Sequence, residues 1–242
     1  DEQSMIVAGN TWLQHMDSKE EHTLIDIKKL DLNYIHSTTF TIQVGAGTPL
    51  GAVADCDLLD VFNNGIFANA LKDCGSEEFR SKATVGGNLC LRYGYSDLIP
   101  ALLVTDPMVL HYGYEKEALE DIHHEHLSYI QLVDYLQMEP LRDIMTEIVI
   151  PKTMNSNFVK RKDPKTGRTM LNVAVARYGS QLRVAIGGRP YVAKLWRGND
   201  KTPIEDIVAS FDFGDDDMLS ADERKKLAEE MILEACEVID FR

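Results

Sequence analysis

Cysteine is scarce and scattered. The four residues Cys56, Cys74, Cys90 and Cys236 form no Cys-x-x-Cys pair and no ferredoxin-like spacing. The chain is therefore expected to hold neither a structural zinc nor an iron–sulfur cluster of its own. Dispersed thiols without a framework fit a reducing, cytoplasmic compartment. Long apolar runs are missing too: none approaches the ~18 residues of a membrane span, and no secretory leader pattern opens the chain. Positive charge is short, with 25 Lys and Arg against 39 Asp and Glu and a formal net charge of −14. That balance argues against nucleic acid or an anionic membrane as the main partner. Neither Gly-x-Gly-x-x-Gly nor Gly-x-x-x-x-Gly-Lys-Ser/Thr occurs. No Ser-His-Asp, Cys-His or paired-carboxylate arrangement suggests a catalytic residue. The chain begins at Asp1 without a methionine, which leads to the expectation of an incomplete N-terminus.

What is present centres on Arg80-Ser81-Lys82-Ala83-Thr84-Val85-Gly86-Gly87-Asn88-Leu89-Cys90. Two adjacent glycines remove side chains where a backbone needs room or positive φ, and Thr84 and Asn88 flank them with a hydroxyl and an amide. On its own a Gly-Gly reads first as a tight turn. Further on, Ser96-Asp97-Leu98-Ile99-Pro100 offers Asp97 as an acceptor for a sugar hydroxyl. Near the start, Met5-Ile6-Val7-Ala8 is a short apolar run that breaks into Gly9-Asn10-Thr11. That pattern describes a strand delivering a turn whose successive N–H groups converge on one concavity, an anion nest that needs no lysine.

With 242 residues, 44% hydrophobic and 26% charged, the chain has the composition of a globular protein of one large or two small domains. Leu24 to Ile27 reads as a second short buried strand, and Phe40 to Gly45 alternates as a half-buried one. Thr48 as N-cap and Pro49 at the first helical position open a helix. Ile66 to Leu71 reads as a helix with Ile66, Phe67, Ala70 and Leu71 on one face, and Ile99 to Val104 as a short buried helix. Met108 to Tyr112 and Ile144 to Ile150 are strands, the latter stopped by Pro151. His123, His124 and His126 around Glu125 read as a solvated loop, not as metal ligands. The polar stretch from Pro151 to Asn157 is the domain boundary, giving 1–152 and 157–242. Beyond it Phe158 begins a strand, and Asn172 to Ala176, Gln181 to Gly187 and Tyr191 to Leu195 make a three-stranded sheet. Asp212 and Asp215 to Asp217 read as a solvated acidic loop. A last helix starts at Ser220, with Glu223 completing a capping box and Leu227, Met231 and Val238 facing inward.

Together these stretches resemble the FAD-binding subunit or domain of the molybdenum hydroxylases, the family of the carbon monoxide dehydrogenase medium subunit and the xanthine dehydrogenase flavin domain. The family's Ala-Gly-Gly-Thr is met by Ala8-Gly9-Asn10-Thr11, with Asn10 for the second glycine, as in eukaryotic xanthine dehydrogenases. Thr-Ile/Val-Gly-Gly-Asn is met by Thr84 to Asn88, and Asp-Leu-x-Pro by Asp97, Leu98 and Pro100. The resemblance implies an α+β chain: a two-subdomain FAD-binding PCMH-type fold (vanillyl-alcohol oxidase/MurB-like), then a small α+β domain. It implies FAD contacts from Val7, Ala8, Gly9, Asn10, Thr11, Trp12 and Leu13, and from Thr84, Val85, Gly86, Gly87 and Asn88. Asp97 would meet a sugar hydroxyl, and Met145 or Thr146 would approach the flavin ring. Lys160 would lie near the flavin or, read alone, be a plain surface charge in Lys160-Arg161-Lys162. Trp12 stands where the family often has an acidic or small residue and reads as a packing residue; Cys90 reads as a core thiol.

By the same resemblance the iron–sulfur clusters and the molybdenum cofactor sit in partner chains, each trio doubled. Electrons would pass from the clusters through this flavin to NAD+ or another acceptor. Two other readings stand beside it: a self-contained FAD-dependent oxidoreductase of the vanillyl-alcohol oxidase type, and a non-catalytic assembly protein that lost the flavin.

Overall fold

The structure, a computed structural model, describes residues 4–13, 23–116, 123–141, 143–152 and 155–240. The first strand, β1 (Ser4–Val7), pairs in parallel with β2 (Thr23–Asp26) as a two-stranded sheet. The expectation of a buried second strand is corrected: all four β2 residues are exposed, Leu24 and Ile25 among them. Pairing along one edge satisfies a strand's backbone without covering its side chains.

Next in the chain come β3 (Ile35–Ser37) and β4 (Thr41–Gly45), then α1 (Leu50–Ala54), α2 (Asp57–Asn63), α3 (Ile66–Leu71), α4 (Glu77–Lys82), α5 (Val85–Leu91) and α6 (Leu98–Thr105). They are followed by β5 (Met108–Lys116), β6 (His123–Gln131), α7 (Leu132–Tyr135) and β7 (Ile144–Pro151). Five of these strands form one antiparallel sheet in the order β3-β4-β7-β5-β6. The period of two is plain: Ile42 and Val44 lie opposite Ile150 and Ile148, and all four enter the core beneath the helices. As expected, Ile66, Phe67, Ala70 and Leu71 of α3 are buried, and α6 is buried along its whole length.

Two local expectations change. Pro49, not Thr48, is the N-cap of α1. The Thr48 hydroxyl instead accepts from the Tyr34 amide (3.1 Å) and donates to the Tyr34 carbonyl (3.0 Å), pinning the approach to β3. His123 to His126 are strand, not loop: they pair with Lys116 back to Gly113. Hairpin hydrogen bonding extends a strand through residues that carry no apolar alternation.

The remaining strands, β8 (Ser156–Lys162), β9 (Thr169–Tyr178), β10 (Gln181–Gly187) and β11 (Lys194–Asn199), form a four-stranded antiparallel sheet in the order β11-β10-β9-β8. The expected three-stranded sheet thus gains β8 at one edge, and its last strand begins at Lys194 instead of Tyr191. Both faces of its centre are buried, with unequal side chains. Ala174, Ala176 and Ala185 face the first core, small enough for α6 to lie close. Leu171, Val173, Val175, Leu182, Val184 and Ile186 face a second core, formed with α8 (Ile204–Ala209) and α9 (Ala221–Asp240).

The capping box of α9 is present: the Glu223 carboxylate accepts from the Ser220 amide at 2.8 Å, and the Glu223 amide donates to the Ser220 hydroxyl at 3.3 Å. Its buried face runs through Arg224, Ala228, Met231, Ala235 and Ile239, so Val238 lies outside it. Arg224 is wholly buried and donates to the carbonyls of Gly188 and Gly214, both at 2.9 Å. It also pairs with Asp216, which accepts from the Tyr95 hydroxyl and the Met218 and Leu219 amides. The solvated acidic loop is therefore corrected at Asp216. Burial alone would push this carboxyl up, but Arg224 and Tyr95 outweigh it and hold the group well below the usual range. No described helix is long and apolar enough to cross a membrane.

Candidate functional site

The turn after β1 lies directly on the connection between α4 and α5. A Cβ on Gly9 would stand 1.9 Å from the Lys82 carbonyl oxygen, so only glycine permits the contact. Asn10 follows with φ 56, a left-handed conformation that Asn tolerates better than most residues. This accounts for Asn at a position the motif gives to glycine. The amides of Gly9, Asn10 and Thr11 meet no protein acceptor among the described residues. Consecutive unbonded N–H groups around a left-handed residue make an anion nest.

The Thr84–Asn88 turn, from which the resemblance also implies FAD contacts, is built differently and is no second nest. Thr84 caps α5, its hydroxyl accepting from the Gly87 amide at 3.1 Å. The Val85 amide donates to Thr48 O (3.0 Å), Gly86 to Ala46 O (2.8 Å) and Asn88 to Thr84 O (3.0 Å). The donors that would receive an anion are already used. Neither glycine has positive φ. Gly86 is there for close approach, since its Cβ would lie 2.7 Å from Ala46 Cβ. A Cβ on Gly87 would meet only the Thr84 hydroxyl, at 2.9 Å.

Two cavities flank the first turn and share Ala8, Gly9, Asn10 and Thr84 in their walls. One, of about 670 Å³, is the more polar of the two, with Lys28, Asn33, Ser81 and Lys82 beside Ile27, Leu32 and Pro49. The other, of about 520 Å³, is apolar, with Met5, Phe79, Trp12 and Tyr93. Trp12 is 43% exposed and its ring centroid lies 5.8 Å from that of Tyr93, so it is a cavity wall and not a packing residue. Cys90, expected in the core, is an exposed residue on the same wall, with the Tyr135 hydroxyl 3.5 Å from its sulfur. It stands one position from the end of α5, next to Leu91, which is exposed too.

Of the expected site residues, the structure gathers Val7, Ala8, Gly9, Asn10, Thr11, Trp12, Leu13, Thr84, Gly87 and Asn88 around the apolar cavity. Val85 and Gly86 stand behind them, buried. Asp97, Met145 and Lys160 lie elsewhere. Asp97 is 2% exposed and its carboxylate accepts from Asn172 (2.8 Å), Thr169 (3.1 Å) and Lys160 (3.1 Å), which leaves a sugar hydroxyl no evident place. Lys160 is neither a surface charge nor a cavity residue. Its ammonium also donates to Ala70 O at 2.8 Å and pairs with Asp73. Burial would lower its pKa, but Asp97 and Asp73 raise it above the usual lysine value. Met145 is buried in the first core.

Lys28, Asn33, Phe79 and Tyr93 were not anticipated as lining residues. Ser96, also unanticipated, donates its hydroxyl to Asn88 Oδ1 at 2.6 Å; its one sequence signal is its place beside Asp97. Among the described residues no group of three His, Cys, Asp or Glu side chains could hold a metal ion.

Comparison with solved structures places the architecture. The carbon monoxide dehydrogenase of Hydrogenophaga pseudoflava, in a form lacking the Mo-pyranopterin moiety of its cofactor, matches with TM-score 0.82 and 16% identity, over 99% of this chain and 90% of that one. Reconstituted CO dehydrogenase from Oligotropha carboxidovorans matches with TM-score 0.81 and 19% identity, over 100% and 91%. Quinoline 2-oxidoreductase from Pseudomonas putida 86 matches with TM-score 0.78 and 17% identity, over 99% and 91%. The expected α+β, PCMH-type fold is the one observed. No curated protein matches the chain in sequence. Residues 1–153 match the family described as the FAD binding domain in molybdopterin dehydrogenase, which spans both glycine turns and the sheet behind them, and the chain belongs to that family.

Proposed function

We propose that this chain binds FAD non-covalently and serves as the flavin-binding electron-transfer subunit of a molybdenum hydroxylase complex. The observation that carries the reading is the Gly9–Asn10–Thr11 nest at the junction of two cavities. An anion centre with a lobe on either side suits a dinucleotide, whose pyrophosphate is central and whose ring systems diverge. Both lobes are of the size that encloses small-molecule ligands. In this reading the three amides hold the pyrophosphate, and Lys28 and Lys82 add positive potential on the polar side. Trp12 and Tyr93 offer aromatic faces on the apolar side. FAD, when bound, supplies the redox chemistry; the chain supplies binding, orientation and exclusion of water. Asp97 and Lys160 act as a frame for the site. Residues 1–152 are the cofactor domain and 157–242 a C-terminal domain.

Without cluster ligands of its own, the chain works beside an iron–sulfur chain and a molybdenum chain in a doubled trio. Its acceptor is NAD+ or another carrier, as in a xanthine dehydrogenase-like complex of the cytoplasm. The fold shared with a Cu,Mo-CO dehydrogenase, at TM-score 0.79 and 18% identity, supports this. The test of the cofactor is direct. The purified chain should take up FAD, and denaturation followed by filtration should release all of it into solution. A chain with no measurable affinity for FAD sinks the reading. Native mass measurement from the source cell tests the partners, since an active monomer without iron or molybdenum would overturn that part alone.

A further inference from the structure

We infer that Ser96 is a positioning residue that locks the Asn88 side chain as a hydrogen-bond donor into the cavity, so that the site selects an acceptor oxygen of the cofactor at that point. The inference rests on the FAD reading above, and its experiment separates the two. The Ser96 hydroxyl already accepts from the Ile99 amide at 3.2 Å, where it caps the first turn of α6. Its own proton needs an acceptor, and the Asn88 side-chain oxygen stands 2.6 Å away. With that oxygen occupied, the amide nitrogen of Asn88 is the free end. It meets no protein acceptor among the described residues, and Asn88 lines the apolar cavity beside Gly87.

The lock is itself held. The Ser96 carbonyl accepts from the Asn172 side chain at 3.1 Å, and the same amide group donates to Asp97 at 2.8 Å. Asn172 lies on β9 and is wholly buried. The orientation of one cavity side chain is thus fixed through Ser96 by the four-stranded sheet. An NH₂ donor pointing into the cavity complements a phosphate or sugar oxygen and leaves a ligand N–H unpaired.

The experiment is a double-mutant cycle on FAD affinity in the full chain. Ser96→Ala should weaken FAD binding roughly three- to tenfold, the worth of one net hydrogen bond, and Ser96→Thr should restore most of it. Asn88→Asp, which replaces the donor by a carboxylate facing an acceptor, should weaken binding more, by about a hundredfold. In an Asn88→Ala background, Ser96→Ala should cost no further affinity, because its effect passes through Asn88. An equal loss in both backgrounds would show that Ser96 acts only by capping α6, and wild-type affinity in Asn88→Asp would show that no donor is needed; either overturns the inference. A wild-type chain that ignores FAD overturns the cofactor reading instead. The lock is then read in the free protein by ¹⁵N NMR: the Asn88 side-chain amide should be ordered in wild type and mobile in Ser96→Ala, and equal mobility in both would overturn it.

Discussion

The two glycine turns look alike in sequence and are opposite in construction. Gly9 allows its turn to lie on the Lys82 carbonyl, and the next residue turns left-handed, leaving three amides with no protein acceptor among the described residues. Gly86 allows α5 to lie on Ala46, and the amides of that turn are spent on Thr48, Ala46 and Thr84. One glycine shapes the turn proposed to hold the anion, while the other makes the shelf that this turn rests on. Which is which depends on where the backbone donors go, and an accounting of donors is the physical content of a glycine motif.

Substitutions separate the two, in falling order of their effect on stability. Gly9→Val should cost most, because a branched side chain 1.9 Å from a backbone oxygen cannot be absorbed by a rotamer change. The expected outcome is loss of soluble chain at 37 °C together with loss of FAD. Soluble protein with normal FAD content would mean that the contact of this turn with Lys82 is misplaced.

Lys160→Met tests the ground beneath the second turn. It strands Asp97, 2% exposed, without its cation, which should cost about 3–5 kcal/mol in urea unfolding. Asp97→Asn added to it should recover part of the loss. The pH dependence follows from the raised pKa of Lys160. A raised value in the folded state contributes stability that is fully present below the ordinary lysine pKa of about 10.4, and that is lost as pH rises through the folded value. Wild type should therefore lose stability in that alkaline window more steeply than Lys160→Met, measured as Tm against pH.

The Lys160 pair also marks where the sequence stops being readable. Elements with a strong period were legible: the buried face of α3, the alternation of β7 with β4, and the box at Ser220 and Glu223 all rest on local spacing. The pairing of Lys160 with Asp97 does not, since the fold alone brings β8 to the N-terminal end of α6. The same holds for the α5 amides, whose acceptors are carbonyls on the Ala46–Thr48 turn. His123 to His126 were illegible for another reason, because a hairpin extended by backbone bonds alone leaves no apolar signature. Of the site, the residues of the two motifs were legible as candidates, but their division into cavity wall and support was not.

Gly86→Ala should cost about 1–3 kcal/mol, as an added methyl in a filled space does. Its Cβ would lie 2.7 Å from Ala46 Cβ and 2.9 Å from Ala46 O. Ala46→Gly in the same chain should return part of the stability by removing the first contact. FAD affinity should fall only as far as the fold is disturbed. A large loss of affinity at unchanged Tm would move Gly86 from shelf to site.

Gly87→Val should have the smallest effect on folding and a decisive one on binding. The position is non-buried and helical with negative φ, and a Cβ there would meet only the Thr84 hydroxyl, at 2.9 Å. A valine in the first turn of α5 meets no backbone outside its own helix, so the Thr84 hydroxyl alone has to shift, and its helix propensity is no worse than that of glycine. Gly87 lines the apolar cavity with Thr84 and Asn88, so a valine side chain there should take up space that the proposed cofactor uses. The expected result is a Tm within a few degrees of wild type and FAD binding below detection in equilibrium dialysis. If Gly87→Val keeps its FAD while Gly86→Ala loses it, the assignment of the two glycines is reversed, and α5 presents its other face to the cofactor.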